Sequence, residues 1–185
     1  MNTTFLPENY TLPIASSNYM KLQKGENKIR ILTAPLIGWE DWKDKKPVRF
    51  AYNEKPVKSF DPGKPVKEFW AFIVWNYVEE KIQILQLTQN SIKKAIGTLV
   101  QDADWGLPYF YDIKISRTGD GITTEYTVNP LPHKPVADKV KKEFHEKRCN
   151  LNALISGGDP FGLWESYTKG VFNVEDTTSQ MEKTA

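Results

Sequence analysis

One stretch, residues 69–88, restricts the possible folds more than any other part of the chain. It reads FWAFIVWNYVEEKIQILQLT, and aromatic and β-branched residues dominate it. Such residues favour β-strands, and the polar run at 79–81 predicts a turn between two of them. The stretch is therefore predicted to form a β-hairpin.

The first strand of this hairpin carries large side chains on both faces. Phe69, Ile73, Trp75 and Tyr77 alternate with Trp70, Phe72 and Val74. One face must pack into a core, and a second face this apolar requires an explanation. Two interpretations stay open: a central strand buried on both sides, or a platform on which flat ligands stack.

Composition limits the class of protein. The 185 residues are enough for one domain, and a net charge of +2 means that any nucleic-acid-binding signal must be local. The single cysteine, Cys149, excludes an internal disulfide and suits a reducing compartment. No apolar run reaches the ~18 residues of a membrane span, and no signal-peptide pattern is present. We expect a soluble intracellular protein.

The chain divides into an arm, a domain and a tail. Residues 1–18 are predicted to be a flexible arm, residues 19–172 the domain, and residues 173–185 a disordered acidic tail. Within the domain, alternating apolar residues predict further strands at 28–32, 111–117 and 122–128. Helical spacing predicts one helix over 89–101 and a C-terminal helix over 135–153.

Residues 39–67 have the composition of a long loop or a loose hairpin. They contain four prolines, and eight lysines and arginines against five acids. The basic residues are interleaved with aromatic ones. Long loops are uncommon in compact domains and are often functional.

The order of elements predicts a mostly β protein. A five-stranded Greek-key barrel with a helix between strands three and four is the OB-fold, whose second and third strands and flanking loops bind oligonucleotides. Residues 69–88 would supply those two strands, and residues 39–67 the first binding loop. Other small α+β arrangements also fit this order.

Short motifs resemble phage-encoded single-stranded-DNA-binding proteins over residues 19–135. They are YMKL at 19–22, GENKIRIL at 25–32, FWAF at 69–72, VW at 74–75, LTQ at 87–89 and YTV at 126–128. The resemblance implies an OB-fold that coats single-stranded DNA during phage replication, recombination or repair, in the cytoplasm of the bacterial host. It also implies that the acidic tail recruits replication or recombination proteins.

The chain departs from the T4-type members of that family in two respects. Those members have a zinc site, which Cys149, His133 and His145 cannot rebuild, so we expect neither a metal nor another cofactor. They also have a basic N-terminal arm for cooperative binding, whereas residues 1–18 are not basic.

Aromatic residues near lysines and arginines form the predicted binding site. Aromatic rings would stack on bases and basic side chains would contact phosphates. The predicted residues are Lys28, Arg30, Trp39, Trp42, Lys43, Lys45, Lys46, Arg49, Phe50, Tyr52, Trp70, Phe72, Trp75, Tyr77 and Lys114.

Two other classes of function compete with DNA binding. A metal-dependent nuclease needs clustered acids, and the carboxylates lack helpful spacing, so we do not expect an enzyme. They are Asp102, Asp104, Asp112, Asp120 and Glu125. The open alternative is a non-enzymatic protein-interaction module of the replication machinery that uses the exposed aromatic surface. Salt-dependent binding of oligo(dT) would separate this alternative from DNA binding.

Overall fold

A computed structural model describes residues 17–172 of the chain, so the predictions for residues 1–16 and 173–185 lie outside the described residues. The elements are β1 Gly25–Ile31, β2 Leu36–Lys43, β3 Lys46–Ala51, β4 Lys67–Asn76, β5 Lys81–Leu87, α1 Asn90–Gln101, β6 Tyr111–Thr118, β7 Glu125–His133, α2 Asp138–Lys147 and α3 Ala153–Ser156. A single 3-10 turn, Gly121–Thr123, precedes β7. No helix in this part of the chain has the length and apolar character needed to cross a membrane.

The protein is mostly β, and its strands form one open antiparallel sheet around β4. The predicted hairpin is confirmed as β4 and β5, which pair from Trp70↔Leu87 to Asn76↔Lys81. The other edge of β4 pairs with β1 through its C-terminal half and with β2 through its N-terminal half. β1 and β2 thus follow each other along a single edge, separated by residues 32–35.

The sheet continues outward from these pairs. Its order is β3-β2-β4-β1-β6-β7, with β5 on the remaining edge of β4. The segment around Tyr19 pairs with the outer edge of β5, where the N–H of Ile84 donates to the carbonyl of Asn18 at 2.9 Å. Among the described residues β5 and β7 do not pair, so the sheet does not close.

Two hydrophobic cores lie on opposite faces of the sheet, and β4 contributes to both. One core contains Phe72 and Val74 and is covered by α1. The other contains Phe69, Ile73 and Trp75 and is covered by α2 and the segment that follows it. The interpretation of a central strand buried on both sides is therefore correct, and β4 does not expose a stacking platform.

The structure has more strands than the five predicted from the sequence. Half of the predicted loop 39–67 forms the hairpin β2–β3, and only residues 52–66 lack strands or helices. The buried face of β2 cannot be recognised in the sequence, because Glu40 and Asp41 are charged but buried. The described residues thus form a seven-stranded open sheet, and the five-stranded OB barrel stays a prediction.

Two further boundaries differ from the prediction. The helix predicted over 135–153 is shorter, because α2 ends at Lys147 and Arg148 after it adopts a left-handed conformation with φ 47°. Strand β7 runs past Pro130 and Pro132 to His133, although the sequence predicts a strand that ends at residue 128. Prolines are tolerated there because β7 is an edge strand.

Candidate nucleic-acid interface

The hairpin β2–β3 presents a row of aromatic rings on one face. Trp39 and Phe50 are direct cross-strand partners, so their side chains lie on the same face. Tyr52 stacks on Trp39 with ring centroids 6.1 Å apart, and Phe60 stacks on Phe50 at 6.4 Å. We call these four residues, Tyr52, Trp39, Phe50 and Phe60, the aromatic row.

Lysine ammonium groups lie over the rings of this hairpin. The Nζ atom of Lys55 is 4.2 Å from the Trp39 ring centroid, and that of Lys43 is 5.3 Å from the Phe60 centroid. Cation–π attraction favours both positions. The surface therefore combines ring faces for bases with positive charges within reach of a phosphate backbone.

A buried carboxylate, Asp41, fixes the loop 52–66 on the hairpin. Its side chain is 0% exposed and accepts hydrogen bonds from Ser59 Oγ at 2.8 Å and from the N–H of Phe60 at 2.8 Å. Burial raises the pKa of Asp41, but these bonds and one from the N–H of Trp42 together hold that pKa below its usual range. The ionised carboxylate thus places Phe60 against Phe50.

A cavity of about 540 Å³ lies at the tip of the hairpin. Its lining residues are Trp42, Lys43, Asp44, Lys45, Phe60, Asp61, Pro62 and Lys64. Trp42 is 37% exposed and Phe60 is 51% exposed, so both rings are accessible to a ligand. We call this feature the tip cavity.

Seven of the predicted residues meet on the hairpin and its loop. They are Trp39, Trp42, Lys43, Lys45, Lys46, Phe50 and Tyr52. Arg49 lies on the same hairpin, but its guanidinium is engaged inside the protein. Its Nε donates to Gln86 Oε1 at 2.9 Å and is 3.5 Å from a Glu40 carboxylate oxygen.

Three other predicted residues, Arg30, Tyr77 and Lys28, surround the buried carboxylate of Asp112. Arg30 is 1% exposed, and its Nε donates to Asp112 Oδ1 at 2.7 Å. The hydroxyl of Tyr77 donates to the same oxygen at 2.9 Å, and Lys28 Nζ lies 3.4 Å from Oδ2. The expectation that Arg30 contacts phosphate is corrected, because its guanidinium is shielded from solvent.

The pKa of Asp112 reflects this environment. Burial raises it, but Lys134, whose Nζ is 2.8 Å from Oδ2, together with Arg30 and Tyr77 lowers it further than burial raises it. The Asp112 carboxylate is therefore ionised, and it ties β1, β6 and the residues after β4 and β7 together.

The remaining predicted residues lie away from the hairpin surface, and their side chains are either buried or paired with another residue. Phe72 is 2% exposed and Trp75 is 3% exposed, so neither ring can stack on a base. Trp70 is half-buried, and its Nε1 donates to Glu68 at 3.1 Å. Lys114 pairs across the sheet with Glu26 at 3.0 Å.

Similarity to known proteins does not assign this surface a role. No family model, no curated protein and no solved structure matches this chain. Interpretation of the hairpin therefore depends on its own residues.

The possible metal ligands named in the sequence, Cys149, His133 and His145, do not form one cluster. Among residues 17–172 no group of three or more His, Cys, Asp and Glu side chains is arranged to hold a metal ion. Cys149 is buried, and this burial raises the pKa of its thiol to about 12. The ring nitrogen Nε2 of His133 lies 3.0 Å from the carbonyl oxygen of Trp105.

The site predicted from the sequence lacks four residues of this surface. Phe60, Lys55 and Lys64 are visible in the sequence as members of the basic and aromatic segment, and that composition could have included them. Asp41 gives no such signal, because its burial depends on the loop folding back over the hairpin.

Proposed function

We propose that the protein binds single-stranded DNA without sequence preference, through base stacking and phosphate contacts on the β2–β3 hairpin. The observation that carries this proposal is the aromatic row, with lysine ammonium groups over its rings. Base–aromatic stacking contributes ~1–3 kcal/mol per base and tolerates any base, because every base has a π-face.

The form of this surface favours single strands over duplex. Bases in a duplex are stacked on each other, so only unpaired bases can lie on the rings of the aromatic row. Positive charge is also local: Lys43, Lys45 and Lys46 follow one another at the hairpin tip, while the net charge of the chain is only +2. Binding to phosphate should therefore concentrate at this hairpin.

An OB-fold arrangement supports the same proposal. In this interpretation β1, β4, β5, β6 and β7 are the five strands, and α1 lies between the third and the fourth. The hairpin β2–β3 with residues 52–66 would then be an elaborated first binding loop, at a position where OB-folds bind oligonucleotides.

We extend the proposal to a biological role. The protein would coat and protect single-stranded DNA during phage replication, recombination or repair, in the cytoplasm of a bacterial host. Support comes from the motif resemblance over residues 19–135. In this role residues 173–185, with Glu175, Asp176 and Glu182, would recruit replication or recombination proteins.

Titration with oligo(dT) tests the proposal. Tryptophan fluorescence should be quenched as bases stack, and the affinity should fall steeply as salt is raised. Duplex DNA of the same length is the matched competitor, and it should displace oligo(dT) poorly. Equal affinity for the duplex, or no quenching at low salt, would show that stacking on the aromatic row is not the mode of binding.

A second candidate function is a protein-interaction module of the replication machinery. A groove of about 540 Å³ favours it, with Phe110, Val136 and Phe172 among its lining residues and Lys134 and Lys141 as its lysines. Phe110 is 54% exposed there. If the protein does not bind oligo(dT) at low salt, this candidate becomes the better account of the exposed aromatic residues.

A further inference from the structure

We propose that the tip cavity binds a single nucleotide, with the base against Trp42 and Phe60 and the phosphate against Lys43, Lys45 and Lys64. The inference rests on the proposed function and specifies one nucleotide-binding position within it. In a bound strand this position, which shares Phe60 with the aromatic row, would hold one base at the end of the row.

The size and walls of the cavity suit a nucleotide. Its volume of about 540 Å³ lies within the range of ~300–1,000 Å³ that is usual for small-molecule pockets. Trp42 is not part of the aromatic row, because it lies on the opposite face of β2 from Trp39. Its exposed ring therefore offers a separate surface for one base.

Charge at the cavity is available to a phosphate. Three lysines and two carboxylates, those of Asp44 and Asp61, line it, so its lining is net positive. Within residues 17–172 none of the three lysines forms an ion pair with a carboxylate. Lys64 Nζ stands 5.7 Å from the Trp42 ring centroid. A phosphate attached to a base on Trp42 would thus meet an ammonium group without first breaking an ion pair.

The backbone at the tip places Lys45 at a conformational cost. The two-residue turn between Lys43 and Lys46 has φ of 50° at Asp44 and 61° at Lys45. Such turns favour glycine or asparagine, because other residues are strained at positive φ. A lysine in this position holds an ammonium group at the cavity, and local strain of this kind is common at functional sites.

The opposite wall is positioned before any ligand arrives. Asp41 accepts hydrogen bonds from the Phe60 N–H and the Ser59 hydroxyl, and the N–H of Lys64 donates to the carbonyl oxygen of Asp61 at 2.9 Å. Phe60 and Lys64 are therefore fixed relative to Trp42. A preformed cavity of this kind reduces the ordering that binding requires.

The experiment uses the full chain and three probes: thymidine 5′-monophosphate, thymidine and inorganic phosphate. The indole N–H signal of Trp42, assigned by its disappearance in Trp42→Phe, reports binding by NMR. We expect the monophosphate to shift this signal at lower concentration than either other probe. Lys45→Gly should raise the melting temperature and weaken monophosphate binding about two- to fivefold, the range for one exposed ion pair.

Matched variants separate charge from turn geometry. Lys45→Arg keeps the charge and should bind the monophosphate like wild type, whereas Lys94→Ala removes an exposed lysine on α1 that does not line the cavity and should leave monophosphate binding unchanged. If thymidine binds as tightly as its monophosphate, the phosphate contact is refuted. If inorganic phosphate binds as tightly as the monophosphate, the contact between the base and Trp42 is refuted. If oligo(dT) binds but the monophosphate does not shift Trp42, this inference fails and the proposed function stands. If neither binds, both fail.

Discussion

Replacing Arg30 by methionine should lower the free energy of unfolding by about 3–5 kcal/mol and leave the DNA affinity of the folded protein unchanged. The guanidinium donates to Asp112 Oδ1 at 2.7 Å and to the carbonyl oxygens of Lys134 and Tyr109 at 2.9 and 3.3 Å. Methionine retains an apolar side chain of comparable length but none of these donors.

Opposing effects determine the size of this destabilisation. Removing one partner of a buried ion pair costs ~3–5 kcal/mol, and each carbonyl left without a donor adds ~1–3 kcal/mol. Two contacts limit this cost, because the Asp112 carboxylate retains its hydrogen bond from Tyr77 at 2.9 Å and its ion pair with Lys134 at 2.8 Å. Arg30 Nη2 is buried without a hydrogen-bond partner among the described residues, so its removal relieves a desolvation cost. We therefore expect the sum to stay near the range for the ion pair alone.

Urea unfolding followed by circular dichroism measures the destabilisation as a lower midpoint with an unchanged slope. The control is Lys114→Met, because Lys114 is half-buried on the same sheet and its partner Glu26 is exposed. That control should cost at most about 1 kcal/mol. An unchanged midpoint in Arg30→Met, combined with weaker oligo(dT) binding, would refute the reasoning and show that the guanidinium reaches DNA.

The remaining predictions concern the pH dependence of stability, the anchoring of residues 52–66, and DNA binding by the aromatic row and the nearby lysines. Because the pKa of Asp112 is lowered in the folded state, its contribution to stability is complete above its unfolded pKa of about 3.9 and is lost as pH falls through the lower folded pKa. Asp112→Asn should therefore flatten the acid limb of a plot of urea midpoint against pH, and an unchanged limb would contradict this. Asp41→Asn should increase proteolytic cleavage within residues 52–66 and weaken oligo(dT) binding, with the strand signal in circular dichroism retained; equal cleavage rates would count against the anchoring role. Tyr52→Ala should weaken oligo(dT) binding by ~1–3 kcal/mol without changing the slope of log affinity against log salt concentration. Replacing both Lys45 and Lys46 by alanine should instead flatten that slope by about 0.7 for each phosphate that these lysines neutralise. Salt titrations of both variants measure the two slopes.

The sequence predicts elements whose signal is local. The β4–β5 hairpin and α1 follow from aromatic content, alternation and helical spacing within residues 69–101, and the structure contains all three elements. Local patterns also show that residues 39–67 combine aromatic and basic groups. The positions of individual side chains in that segment do not follow from these patterns.

The errors come from partners that are distant in the sequence. Arg30 alternates with apolar neighbours as an exposed residue would, but its partner Asp112 lies 82 positions away. Trp75 looks available for stacking until Val140 and Phe144 of α2 cover it. A single sequence does not show which face of a central strand a distant helix will bury.

The sharing of β4 between the two cores has a consequence for how the domain unfolds. Phe72 belongs to the core under α1 and Ile73 to the core under α2, although the two residues are adjacent in the chain. Displacing this strand exposes both cores at once, so neither half of the domain can keep its stability after the other has melted. Heat or denaturant should therefore produce one cooperative transition, and a ligand that binds the hairpin paired to β4 will protect α1 and α2 alike.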